Sequence, residues 1–269
     1  MDKLITFYLS QLESLNYAPN TIATYSRYLP YLNSLAIRKF NTPIYKLKAS
    51  ELILLKNTDL SLYSPATQNL FFGMLKGLQS FLIADGKIDF ISVTNHLYNK
   101  IDTSYSKAFS IDDIKKMKSV AKTNFAYISF LLLCMSGLRI SELVALSVSD
   151  IDRQNESIWV RKSKNHNGRK SLITPLPYLT QVWKYLDSID IIDGEPLIFA
   201  TAKSEVRTLI DDFNATFHTN YYTHNTRSTY ATLMLELGYR LDQIMRYLGH
   251  KNLATTLKYI DSRRNYDFD

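Results

Sequence analysis

From residue 1 to residue 98, apolar positions recur three and four apart, the spacing of amphipathic helices. Leu4, Ile5, Tyr8, Leu9 and Leu12 mark the first such face. "APNTIATYSRYLPYLNSL" opens a second helix after Pro19, with Asn20 or Thr21 able to cap it. "KASELILLK" and "SPATQNLFFGMLKGLQSFLIADG" predict two more, the last closed by the Asp85-Gly86 turn signal. Residues 1–98 thus predict an all-α module. Residues 99–106 lose the periodicity and predict a linker. "SIDDIKKMKSVA" resumes the helical pattern, with Ser110 as cap and Asp112 and Asp113 in the first turn, where the helix dipole favours acids. The period then shortens. "SIWVRKSK" and "RKSLITPL" flank "NHNG" and predict a β-hairpin about an Asn-Gly turn. Helical patterns follow it, so residues 107–269 form a second, mixed domain. The fold class is mainly α with a small β-hairpin or antiparallel sheet. The alternation of strands and helices that builds a parallel nucleotide-binding sheet is missing.

Composition changes this picture in three places. The single cysteine, Cys134, excludes an internal disulfide framework and a cysteine-based zinc cluster. It lies in "FAYISFLLLCMSGL", a run too short and too interrupted to cross a bilayer; with no signal-like segment near Met1, a cytoplasmic protein without membrane contact is expected. The net charge of +7 suits a polyanionic partner such as nucleic acid. With 19 tyrosines in the chain, a tyrosine carries chemical meaning only through its surroundings.

Four segments could carry chemistry. "SGLRISELVALSVSDI" sets Arg139 and Glu142 on one helical face, which by itself reads as a surface ion pair. The hairpin gathers Arg161, Lys162, Lys164, Arg169 and Lys170. They read as a solvated tip or as a tip laid along a phosphate backbone, with Lys162 and Lys164 on one face of the strand. "THNTRSTYATLMLELG" places His224 and Arg227 together near a helix start, with Thr223 as a cap, where backbone N–H groups favour anions. "YLGHKNLATTLKYI" ends the series with His250 and Tyr259. Tyr230 and Tyr247 fall in apolar helical patterns and read as packing; Tyr266 sits in the polar tail.

In this order the segments resemble the tyrosine recombinase (phage integrase) family, in its Xer-type or resolvase-like form. "GLRISEL" is similar to the family's first arginine motif, and "HNTRSTYATLMLELGYRLDQIMRYLGHKNLATTLKYI" to its His-x-x-Arg, Leu-Gly-His and tyrosine boxes. "NTIATYSRYLPYL" resembles the start of the family's core-binding domain, so the likeness spans nearly the whole chain.

The resemblance implies a helical core-binding domain at 1–98 and a catalytic domain at 107–269, closing as a clamp on duplex DNA that carries a specific recombination site. It implies strand cleavage and rejoining through a 3′-phosphotyrosyl intermediate, with no cofactor, ATP or metal. Tyr259 would be the nucleophile. Arg139 and Arg227 would clamp the non-bridging phosphate oxygens. His224 would take the tyrosine proton and His250 would bond a non-bridging oxygen. A hairpin lysine, Lys164 or its rival Lys162, would protonate the leaving 5′-oxygen. Glu142 would orient His224. Arg161, Lys162, Arg169 and Lys170 would contact DNA. A homo-tetramer in the synaptic complex, monomeric when free, completes the expectation. The compact length leans toward the simpler members, without an added amino-terminal arm-binding domain. The target sequence and any accessory proteins are left open. Two other readings remain: a type IB topoisomerase-like relaxing enzyme, and a catalytically silent DNA-binding regulator.

Overall fold

The computed structural model describes residues 2–101, 106–161, 168–174, 178–188 and 199–260. The chain divides into two compact units, Met1–Asp102 and Thr103–Asp269.

The first unit holds α1 (Lys3–Gln11), α2 (Pro19–Phe40), α3 (Ala49–Asn57) and α4 (Pro65–Ala84). Asp2 caps α1 by accepting the N–H groups of Leu4 and Ile5, and Ser64 caps α4 by accepting that of Thr67. The α2 start differs from the sequence expectation. The helix begins at Pro19 itself, after Ala18, with no side-chain cap, and Asn20 and Thr21 lie inside its first turn. Proline presets the helical φ and has no N–H to satisfy, so the cap is dispensable there. Leu29, Leu32, Phe71, Leu75 and Leu78 are among the buried side chains of this unit's core.

In the second unit, α5 (Ile111–Val120) starts as the sequence predicts. Ser110 accepts the Asp113 N–H, and the Asp113 carboxylate accepts the Ser110 N–H in return. Helix α6 (Asn124–Ser136) is apolar all round and buried along almost its whole length. It is the central rod against which α8 (Leu179–Asp187), α9 (Ala202–Phe217) and α10 (Asn225–Glu236) pack. Cys134 lies fully buried within α6, and that burial pushes its thiol pKa up.

After the short α7 (Ile140–Val144) comes an antiparallel sheet of three strands, β1 (Ile151–Asp152), β2 (Ser157–Val160) and β3 (Arg169–Leu172). β2 and β3 are the predicted hairpin, with Ser157 opposite Leu172 and Val160 opposite Arg169. β1 is the addition: at two residues it is too short to show an alternating pattern. The turn of the hairpin, with Lys162, Lys164 and Asn167, lies outside the described residues. Helices α11 (Leu241–Leu248) and α12 (Leu253–Leu257) close the unit. With α10 they enclose a small separate core of Tyr230, Ala231, Met234, Ile244, Leu248 and Ile260. Among the described residues no helix is long and apolar enough to cross a membrane.

Candidate active site

The site begins where α6 stops. Gly137 takes a left-handed conformation (φ 60°). A Cβ at that position would run into the Tyr230 ring and come within 2.9 Å of a Leu248 methyl. The sharp exit makes Arg139 the cap residue of α7, three residues before Glu142. The Glu142 carboxylate accepts both the Arg139 N–H and its Nη1, each at 2.8 Å. The Arg139 side chain is 39% exposed, whereas that of Glu142 is only 7% exposed. This is therefore no surface ion pair: the arginine faces outward from a buried carboxylate.

The reason for that burial is a residue whose role the sequence misassigned. Arg169, expected along a DNA backbone, points inward from β3 with its side chain 7% exposed. Its two terminal nitrogens grip both Glu142 oxygens, at 2.9 and 2.7 Å, and its Nε donates to the Tyr247 carbonyl at 2.7 Å. A buried carboxylate needs an opposite charge with matching geometry, and a guanidinium supplies both. Burial alone would raise the Glu142 pKa. The hydrogen bond and charge of Arg169, helped by Arg139, outweigh it and hold the value at about 2. Gly249, which ends α11, is left-handed as well (φ 68°). A Cβ on it would lie 2.8 Å from the Arg169 Cδ.

Arg227 enters from the first turn of α10 with its side chain 4% exposed. Its Nη1 donates to the Gly137 carbonyl. Its Nη2 donates to the Leu248 carbonyl at 2.8 Å and lies 3.0 Å from His250 Nε2. Glu142 is 3.9 Å away. Burial, with the repulsion of Arg139, lowers the Arg227 pKa to about 10, which leaves it charged at neutral pH. Its Nε has no hydrogen-bond partner among the described residues. A buried cationic donor without an acceptor is a place for an anion's oxygen.

His250 is held on its other side by Thr256, with Nδ1 3.0 Å from the hydroxyl oxygen. The Tyr259 ring lies 5.0 Å from the His250 ring, and the Arg227 guanidinium sits 5.6 Å from the centre of the Tyr259 ring. Tyr259 lies two residues beyond the end of α12, its N–H donating to the Thr256 carbonyl at 2.9 Å. The start of the unit braces this region: the Ser106 N–H donates to the Lys258 carbonyl, Phe109 to the Thr229 hydroxyl, and Asn225 to the Lys107 carbonyl.

His224 is the residue before α10, where the sequence expects Thr223 to cap. Thr223 instead offers its carbonyl to the Thr226 hydroxyl. The His224 ring is exposed and stacks on Tyr222, with centroids 5.8 Å apart. Partial burial moves its pKa below the ordinary value, toward the neutral, proton-accepting form. The resemblance gives Glu142 the task of orienting this ring. The carboxylate is instead engaged by Arg139 and Arg169, with Arg227 beyond them.

The structure thus brings Arg139, Arg227, His250 and Tyr259 together around Glu142 and Arg169, with His224 at the start of the same helix as Arg227. Of the other expected DNA contacts, Arg161 is exposed but bound to Asp150 and Ser147, each at 2.7 Å, and Lys170 is exposed on β3. Lys162 and Lys164 lie outside the described residues. Sequence reasoning missed Thr256 altogether. Its signal was available, as a threonine one helical turn before the tyrosine and close behind the histidine.

The sequence pattern of the phage integrase family matches residues 107–265. Tyrosine recombinase XerA of Pyrococcus horikoshii is 28% identical over 264 residues, covering 94% of this chain and 86% of that protein. A lambda integrase dimer bound to a COC′ core site superposes with a TM-score of 0.74 at 21% identity, covering 100% of this chain and 98% of that one. A lambda integrase tetramer bound to a Holliday junction gives 0.71 at 20% identity, over 99% and 79%. At that identity the two integrase structures speak for the fold alone. The family match over more than half the chain, with the Xer-type relative along nearly all of it, gives the conclusion: the chain belongs to the phage integrase family, as a tyrosine recombinase.

Proposed function

We propose that the protein cuts and reseals DNA at a specific site with Tyr259 as nucleophile. The Tyr259 oxygen forms a bond to phosphorus while the bond to the 5′-oxygen breaks, leaving a 3′-phosphotyrosyl link and a free 5′-hydroxyl. His224, favoured in its neutral form, takes the tyrosine proton. A hairpin lysine, Lys164 with Lys162 as its rival, returns a proton to the leaving oxygen. Arg139 and Arg227 stabilise the charge gathering on the non-bridging oxygens, and His250 bonds one of them. The phosphodiester's energy is kept in the phosphotyrosyl bond, so rejoining to a new 5′-hydroxyl needs no ATP.

The observation that carries this reading is the Arg227 side chain. It is buried, charged and fixed by two carbonyls, with Nε unpaired among the described residues and the Tyr259 ring beside it. A silent DNA-binding regulator has no use for a buried cation placed next to a tyrosine.

Recombination joins two duplexes and cuts four strands, so four protomers act together: a tetramer on DNA, assembled from monomers, in the cytoplasm. The tetrameric arrangement of lambda integrase on a Holliday junction supports this by analogy of fold. The test uses a nicked suicide duplex built from DNA flanking the gene, incubated without added metal. The expected product is a denaturant-stable adduct that mass spectrometry places on Tyr259. Tyr259→Phe should bind the duplex and form none. An adduct at another residue, or undiminished recombination by that variant, would overturn the assignment. Relaxation of plasmids lacking any specific site would favour the topoisomerase-like alternative.

A further inference from the structure

We infer that Thr256 is a positioning residue that lets His250 exchange which of its ring nitrogens carries the proton; the inference rests on the reading of the site given above. In the structure, His250 Nε2 lies 3.0 Å from Arg227 Nη2. A guanidinium nitrogen can only donate, so Nε2 is the unprotonated acceptor and the ring proton sits on Nδ1. Nδ1 faces the Thr256 hydroxyl at 3.0 Å, and that hydroxyl is therefore the acceptor. Thr256 is fully buried, so no water competes for this contact.

Bonding a phosphate oxygen reverses the demand. His250 Nε2 must then donate to the anion instead of accepting from Arg227. A neutral ring that donates from Nε2 carries no proton on Nδ1, and Nδ1 becomes an acceptor. The ring takes one proton at Nε2 from solvent and loses the one at Nδ1 to solvent as the contact with Thr256 transiently opens, so its charge does not change. A partner for Nδ1 must accept in the free protein and donate in the complex. Serine and threonine hydroxyls can do both by rotating about the C–O bond; a carbonyl, a carboxylate or an amide N–H can do only one.

The hydroxyl is free to turn. Among the described residues, its hydrogen bond to His250 is the only one it makes. Its place in the chain links two candidate groups, because the Thr256 carbonyl accepts the N–H of Tyr259. Partners that fix the tautomer and orientation of a metal-bound imidazole commonly matter about ten- to a hundredfold, and an effect of that order is expected for Thr256 on His250.

The free protein gives the first test. Long-range proton–nitrogen NMR of 15N-histidine protein should show His250 protonated on Nδ1; a ring protonated on Nε2 would overturn the inference. The second test is single-turnover adduct formation on the nicked suicide duplex. Thr256→Val keeps the shape and removes the hydroxyl. It should slow the covalent step about tenfold or more with duplex binding unchanged, and Thr256→Ser should recover most of the loss. In a His250→Ala background, Thr256→Val should cost nothing further, because Thr256 acts through that ring. A valine variant as fast as wild type, a serine variant as slow as valine, or a full additional loss without His250 would each overturn the inference. If the valine variant does not fold, the serine variant and the NMR assignment decide. If the wild type forms no adduct at all, the reading of the site has failed, and the tautomer alone decides this inference.

Discussion

Arg169→Met is the substitution that best separates the folded site from its linear pattern. An arginine lying on a hairpin surface can be replaced at a cost within about 0.5 kcal/mol. Arg169 is instead buried and forms three hydrogen bonds, two of them to the equally buried Glu142. Removing one partner of a buried ion pair typically costs about 3–5 kcal/mol. Glu142 keeps the Arg139 contact at 2.8 Å, which places the expected loss near the lower end, about 3 kcal/mol.

The lowered pKa of Glu142, which has the same Arg169 contact as a cause, points to the same order of magnitude. A shift from 4.5 to about 2 corresponds to roughly 3 kcal/mol of linkage at neutral pH. Because the folded value lies below the unfolded one, this stabilisation is complete above 4.5 and disappears as the pH falls through about 2. The gap between wild type and variant should therefore narrow in acid. Both tryptophans, Trp159 and Trp183, belong to the second unit, so fluorescence during urea unfolding reports on that unit. With a slope of about 2 kcal/mol per M, the midpoint should fall by about 1.5 M at pH 7. The shift should be clearly smaller at pH 3. Lys170→Met, on the exposed neighbour, is the control. A midpoint change of Arg169→Met no larger than that of the control would refute the inward-facing guanidinium and restore the DNA-contact reading.

Three further outcomes follow from the same geometry. Gly137→Ala should destabilise the second unit by about 1–3 kcal/mol, because its Cβ meets Tyr230 and Leu248 at a left-handed position; calorimetry of wild type and variant checks this. Duplex affinity, followed by fluorescence anisotropy, should fall steeply and linearly in log–log form with salt, by close to 0.9 in slope per phosphate neutralised; a flat response would mean that the basic side chains do not carry binding. The rate of adduct formation should fall only on acidification below pH 6.5, since burial lowers the pKa of His224 and a proton acceptor must be neutral. A rate half-lost above that pH would assign the proton to another group.

The local pattern of this chain was legible wherever the signal was local. Ser110 caps its helix as expected, with Asp113 returning the bond from the first turn, and "SIWV" pairs with "RKSL" in a hairpin. Pro19 shows where a local rule misleads, because Asn20 and Thr21 are good caps in general but unnecessary after a proline that lacks the N–H. β1 escaped notice because a two-residue strand exists only by virtue of its partner.

What the sequence by itself determined is the family, the mainly helical class and the identity of the candidate groups. These follow from periodicity and from motif order, which need no knowledge of distant contacts. What only the tertiary structure decided is who bonds to whom. Arg161, Arg169 and Lys170 look alike in the chain, yet one pairs with Asp150, one is drawn under Glu142 and one faces solvent. Glu142 turned from His224 to the arginines, and Thr256 came to hold His250, for the same physical reason. A buried charge or ring nitrogen must find a partner of the right sign and geometry. For Glu142 the nearest is Arg169, 27 residues along the chain, and for the His250 Nδ1 it is Thr256, 6 residues on.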